Sequence, residues 1–211
     1  MTNSTLTAPA DSEFAVTLSE FFLDNPQFEQ LLLAMITKPN CYLPSANLSY
    51  RNLVDGDLTG GYLPRTDFTS SDLSGSRLAF ANLNQAVLTG AKLCGANLDG
   101  ADLDGSDLKY ADFTESSLVG ANLNFVRPDG TAFKGADLSG ATIFFSISDS
   151  SDLEGAILEG AHIIVEEIHY HHVSDLVTRG AIVECDSCFG PCINTNNPGC
   201  DPAIFLIMAN V

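Results

Sequence analysis

From residue 48 to residue 163 a large apolar side chain returns every fifth position without losing count. Leu, Phe or Ile occupies 22 of the 24 positions, and only Pro128 and Ser148 depart. A helix that turns every 3.6 residues would spread a five-residue period around its whole circumference, so an amphipathic helix is excluded. Two residues before each large one sits Ala, Ser, Thr or Gly at 22 of 24 positions, the exceptions being Arg51 and Val126. Residues two apart on an extended segment point to the same side. The small and the large residue therefore both face inward, and the residue between them faces out. That outward residue is Asp eight times and Asn five times. The two remaining residues must turn a corner. One of them is Gly at half the positions, as at Gly90, Gly95, Gly100 and Gly105, and Gly reaches backbone angles that other residues resist. Each pentad is thus a very short strand plus a turn, and successive pentads wind into a coil.

The runs ANLDG-ADLDG-SDL, ANLNQAVLTGAKL and GADLSGATI resemble the pentapeptide-repeat family, whose consensus is A(D/N)LXX. The resemblance implies an all-β solenoid: a right-handed, four-sided parallel β-helix with four pentads in each coil. Residues 20 apart should then be stacked neighbours. The two breaks, Pro128 and Ser148, stand 20 apart, as do the inward Phe113 and Phe133 and the corner residues Phe125 and Phe145. No outward Asp has another Asp 20 residues away; the columns read Asp72, Lys92, Asp112, Ala132, Asp152 and Asp57, Arg77, Asn97, Ser117, Asp137. Like charges directly opposed across paired strands are destabilising, so the avoidance fits the stacking. Six coils at about 4.8 Å each would make a rod about 29 Å long.

Three segments are expected: a helical cap over residues 1–40, the β-helix over 41–165, and degenerate final coils with a Cys-rich, irregular tail over 166–211. A solenoid exposes an apolar cross-section at its ends and needs caps. Asp11 or Ser12 can cap a helix running through Phe22, with Phe14, Leu18, Phe21 and Phe22 on one face, and Asn25-Pro26 can open a second helix over residues 27–37. The pair reads as a hairpin sealing the first coil, or else as helices that bind a partner. Beyond Ile163 the pattern degrades, although Ile168, Val173 and Val183 keep the five-count and one or two imperfect coils can reach about residue 184. The later coils place Phe125, Phe144, Phe145, Ile147 and Ile157 at outward positions. A monomer rarely leaves such a patch bare. It is a candidate partner-binding surface, to be covered by the apolar run at residues 203–208 or by a second copy of the chain.

The tail holds Cys185, Cys188, Cys192 and Cys200, with His169, His171 and His172 upstream. Four thiols so close together suit tetrahedral zinc, and the same residues suit one or two disulfides in an oxidising compartment. The spacing is not that of a standard zinc ribbon, and no other cofactor is implied. The histidines read as a solvated surface cluster. Cys41, at a small inward position, and Cys94, on an outward flank, read as structural.

Acids outnumber bases 27 to 9, for a net charge of −18. Such a surface repels nucleic acid and anionic membrane, so a charged partner should be a basic protein surface. There is no secretory signal pattern and no apolar run of spanning length, which points to a cytoplasmic protein, monomeric or homodimeric. No phosphate loop, nucleophilic triad or zinc-protease motif is present. The acidic run Asp99, Asp102, Asp104, Asp107, Asp112 follows from the repeat's own demand for outward Asp. A non-enzymatic interaction scaffold is therefore expected. The resemblance supplies an alternative, because the best-characterised branch of the family consists of acidic, DNA-shaped rods that bind gyrase and protect it from quinolones. This chain lacks the clear C-terminal dimerisation helix and the loop insertions of many such members.

Overall fold

The computed structural model describes residues 38–144, 153–165 and 175–185. The helical cap expected over residues 1–40 lies outside these residues except for its last three. Backbone pairing fixes the coil at twenty residues. Tyr42 pairs with Tyr62, Asp57 with Arg77, Asp72 with Lys92 and Asp137 with Ile157, all parallel. The pairing is most continuous where the rungs lengthen into strands β1 (Asn122–Asn124), β2 (Thr142–Phe144), β3 (His162–Val165) and β4 (Ile182–Cys185). These form one parallel sheet in the order β1-β2-β3-β4, with Leu123 beside Ile143, Ile143 beside Ile163 and Ile163 beside Val183. Four corners per twenty residues give four faces. The first carries β1–β4 and is centred on Leu43, Leu63, Leu83, Leu103 and the strand residues. The second begins at Leu48, the third at Leu53 and the fourth at Leu58.

Inside, the large and small stations pack as the sequence requires. Leu58, Leu63, Phe68, Leu73 and Leu98 are fully buried, as are the alanines at small inward stations such as Ala81, Ala86 and Ala96. The Phe113 and Phe133 rings stack at 5.3 Å, one above the other along the axis. Where the small residue is Ser or Thr, several hydroxyls donate to carbonyl oxygens: Ser71 to Phe68, Ser116 to Phe113, Thr66 to Leu43 and Thr131 to Leu108.

An account of the backbone N–H groups explains the outward Asp and Asn. In each regular pentad the outward, central and corner N–H groups donate to carbonyls of neighbouring coils, as from Asp72 to Arg51, Leu73 to Lys92 and Gly75 to Cys94. The next small residue closes the turn, as Ser76 donates to the Leu73 carbonyl. The residue just after the central one has no backbone acceptor, and an unpaired N–H is costly. At all twelve described pentads with outward Asp or Asn, that side chain accepts this N–H, as Asp72 does from Ser74 and Asp102 from Asp104. Tyr42 and Tyr62 cannot cap in this way, and the residues that follow their central leucines are Pro44 and Pro64, which have no N–H to cap.

The corners adopt positive φ whatever the residue. Phe80, Tyr110 and Phe125 sit at φ 59°, 57° and 55°. The Phe80 ring then lies over Gly100 in the next coil, where an added Cβ would stand 2.8 Å from it, and the Tyr110 ring lies over Gly130 in the same way.

Two departures mark the C-terminal half. Pro128 has no N–H, so it lacks the donor that central residues such as Leu108 pass to the next coil. At the last coil, residues 175–178 make one helical turn that buries Leu176. The Arg179 guanidinium then donates to the Leu153 and Ala156 carbonyls at 2.5 and 2.6 Å while pairing with Asp175 at 3.0 Å. Chain pairing thus continues to Cys185, into the segment where a degenerate final coil is expected.

Candidate interaction face

Charge divides the four faces. On the second, third and fourth, outward acids meet bases one coil away: Asp107 with Arg127 at 3.0 Å, Asp72 with Lys92 at 3.9 Å and Asp57 with Arg77 at 3.1 Å. Lys109 and Asp129 add another pair at 3.0 Å. The outward positions of the first face hold no Lys or Arg among the described residues. That face changes character along its length. Tyr42 and Tyr62 stack at 5.1 Å in its first two coils. Three coils of Asn and Asp follow, in which Asn84 donates to Asp104 at 3.1 Å and Asn122 to Asp102 at 2.9 Å. The last coils are mixed: Phe144 and Ile164 stand in successive rungs and Glu184 follows them, while the neighbouring column runs Thr142, His162 and the exposed Ile182. His162 and Glu184 pair at 3.3 Å beside them.

The outward apolar residues are only partly gathered. Phe125, 63% exposed at the corner of the first and second faces, meets Phe144 edge-on at a centroid distance of 4.7 Å. Ile157 pairs with Asp137 in the fourth-face column and does not join them. Phe145 and Ile147 lie outside the described residues, as does Ser148. The stacked tyrosines and the Asn/Asp block were not singled out from sequence. Their signal was present as a 20-residue step from Tyr42 to Tyr62 and from Asn82 to Asp102 to Asn122.

Of the four tail cysteines only Cys185 falls within the described backbone, closing β4; Cys188, Cys192, Cys200 and the three histidines lie outside it. Among the described residues no group of three His, Cys, Asp or Glu side chains stands close enough to hold a metal ion. Cys41 and Cys94 are free thiols. Burial, then a hydrogen bond to Asp112, pushes Cys94 up to about 11, so its thiol stays protonated and unreactive at neutral pH. Among the described residues no helix is long and apolar enough to cross a membrane.

These features define a four-sided parallel β-helix built of pentads. A family model for pentapeptide repeats matches in eight copies, over residues 52–90, 71–109, 86–124 and 110–143. Residues 52–143 are thus repeats of the pentapeptide-repeat family, whose members wind as right-handed β-helices. Among solved structures it resembles HetL, a pentapeptide repeat protein involved in heterocyst differentiation regulation from the cyanobacterium Nostoc sp. strain PCC 7120. The identity is 26% over 59% of this chain and 68% of that one, with a TM-score of 0.33. Rfr23 from the cyanobacterium Cyanothece 51142 is 24% identical over 57% of this chain and 100% of that one, with a TM-score of 0.31. A trypsin-treated form of QnrB1, a plasmid-mediated fluoroquinolone resistance protein, is 18% identical over 65% and 87%, with a TM-score of 0.32. No curated protein matches the chain.

Proposed function

We propose that this is a non-enzymatic, cytoplasmic interaction protein, its solenoid a stiff carrier for side chains that a second protein recognises. The observation that carries the reading is the division of labour within the pentad. The inward stations are filled by buried Leu, Phe and Ala, so the groups open to a partner are the outward columns. The binding surface centres on Phe125 and Phe144, with Phe145, Ile147 and Ile157 as further candidates. The partner's surrounding surface is basic, given the chain's excess of acids. Affinity capture from the native host tests this: the wild-type chain should retain a partner that a Phe125→Ser, Phe144→Ser variant of equal thermal stability loses. Equal retention by both would remove this surface from the reading.

A second reading is an acidic mimic of DNA that docks on gyrase, favoured by the net charge of −18. The cross-coil ion pairs on three faces count against it, because they neutralise acids that a mimic would display. A supercoiling assay with and without a fluoroquinolone decides: the absence of both binding and protection eliminates mimicry.

Residues 1–40 are proposed to cap the first coil, whose inward Cys41, Leu43 and Ala46 are only partly buried. Cys185, Cys188, Cys192 and Cys200 are proposed to staple the tail through zinc or disulfides, and a reducing cytoplasm favours zinc. Metal analysis beside a Cys200→Ser variant separates the two, and free thiols without zinc would sink both.

A further inference from the structure

We propose that the first two rungs of the first face, with the carboxylates two rungs further on, bind a polyproline-II segment of a second protein that carries an arginine one turn beyond its prolines. The inference goes beyond the reading above, which centres on Phe125 and Phe144 towards the other end of the rod. The two rungs are Tyr42-Leu43-Pro44 and Tyr62-Leu63-Pro64, and this triplet occurs nowhere else in the chain. The coil does not call for it. Outward Arg77, Val87 and Lys92 also have no acceptor to cap the turn, yet Ala79, Thr89 and Cys94 follow them where the tyrosine rungs have proline. The tyrosine rings stack at 5.1 Å and stay 73% and 43% exposed, beside prolines that are only partly buried. Aromatic side chains side by side are what a polyproline-II helix docks on, because its prolines pack on the rings and its preformed backbone has little entropy left to lose.

Charge complementarity sets what the segment carries besides proline. Asn82 fills the next rung, and the rung after it holds Asp102 and Asp104. Asp102 Oδ1 accepts from the Asp104 and Asn122 nitrogens, and Asp104 Oδ2 accepts from Asn84. Among the described residues no donor or cation meets the second oxygen of either carboxylate. Arg65, at the corner, is turned to Gln85 at 3.1 Å. From Tyr62 to Asp102 is two rungs, about 10 Å at the spacing of paired strands. One polyproline-II turn of three residues rises about 9 Å and returns to the same side. A proline on the tyrosines therefore sets the residue three further on over the two carboxylates. A guanidinium fork suits that pair better than a single ammonium.

Fluorescence anisotropy on the full-length chain tests this with an amidated, fluorescein-labelled peptide, Pro-Pro-Pro-Pro-Pro-Arg. The wild type should bind it, and should bind severalfold more weakly a peptide with Glu for Arg and one with Gly-Ser repeats for the prolines. Tyr42→Ser with Tyr62→Ser should weaken binding severalfold. Asp102→Asn with Asp104→Asn should do the same while the turn stays capped, as Asn82 caps the Asn84 N–H. Asp72→Asn with Asp112→Asn removes the same charge from the third face and should leave binding unchanged. No binding by the wild type overturns the proposal, as does a tyrosine variant that binds like the wild type. Equal loss from the third-face variant also overturns it, by assigning the attraction to the net charge of −18 alone. The peptide readout involves neither Phe125 nor Phe144, so its failure leaves the interaction reading standing, and loss of that reading leaves peptide binding in place.

Discussion

At the scale of single residues the pentad positions differ in what they tolerate. The Ser71 hydroxyl donates to the Phe68 carbonyl at 2.7 Å, whereas the buried hydroxyls of Ser76 and Ser106 have no partner. Ser71→Ala should therefore lower stability by about 1 kcal/mol, the usual net worth of such a bond. Ser76→Ala should be neutral or stabilising, since it removes a desolvated polar group. Urea unfolding of the two variants side by side checks the difference. The corners offer a second contrast. Gly100 and Gly120 both sit at positive φ, so Ala at either should cost about 1 kcal/mol or more in backbone strain. Only at Gly100 would the new Cβ also meet a ring, that of Phe80, while nothing lies within 4 Å at Gly120. Gly100→Ala should consequently melt at a lower temperature than Gly120→Ala, and Phe80→Ala should narrow the gap.

At the scale of the element, the last coil hangs on one side chain. Arg179 supplies donors to the Leu153 and Ala156 carbonyls that the helical turn at residues 175–178 does not satisfy from its own backbone. The Ala156 carbonyl is the one from which a regular pentad's next outward N–H would hang, as the Ile157 N–H hangs from Ala136. Arg179→Ala leaves the Ala156 carbonyl to water or unpaired and the Leu153 carbonyl with only the Ala156 N–H, and Lys cannot reach both with a planar fork. Both variants should open the final coil locally. Hydrogen exchange should quicken at the Gly160 and Ile182 amides, which donate to Gly180 and Ala161, while the Leu98 amide keeps its wild-type rate. Uniform acceleration along the whole chain would show that Arg179 supports the entire solenoid and not its end.

At the scale of the whole molecule, the outward carboxylates make stability depend on pH. Hydrogen bonds from Thr59 and then Arg77 hold Asp57 below the usual carboxylate range; Ser74 does the same for Asp72, and Thr114 for Asp112. A lowered folded-state pKa means that the charged form is favoured by folding. The stabilisation is therefore complete above the unfolded pKa of about 4 and is lost as pH falls through the lower folded values. Melting temperature should hold between neutral pH and about 5 and then fall steadily, as followed by circular dichroism. Asn at these positions still caps the turn N–H but does not titrate. Asp72→Asn together with Asp112→Asn should thus flatten part of the acid limb with little change at neutral pH.

The sequence by itself determined the coil. A five-residue period with a small residue two places before each large one has few other ways to bury both, and the avoidance of Asp over Asp already spoke for the 20-residue stack. It determined the core residue by residue for the same reason, since every inward station is set by alternation along a very short strand. The tertiary structure decided what lies on each face. Which outward residues touch depends on where each corner points its side chain, and this turned Phe125 toward Phe144 and left Ile157 a face away. It also decided why Asp and Asn recur. Their task is to cap one N–H per pentad, a donor whose lack of a backbone partner becomes visible only once the coils are stacked. The Arg179 clasp was legible in no pattern, because it joins carbonyls more than twenty residues away to a turn that has dropped out of the repeat.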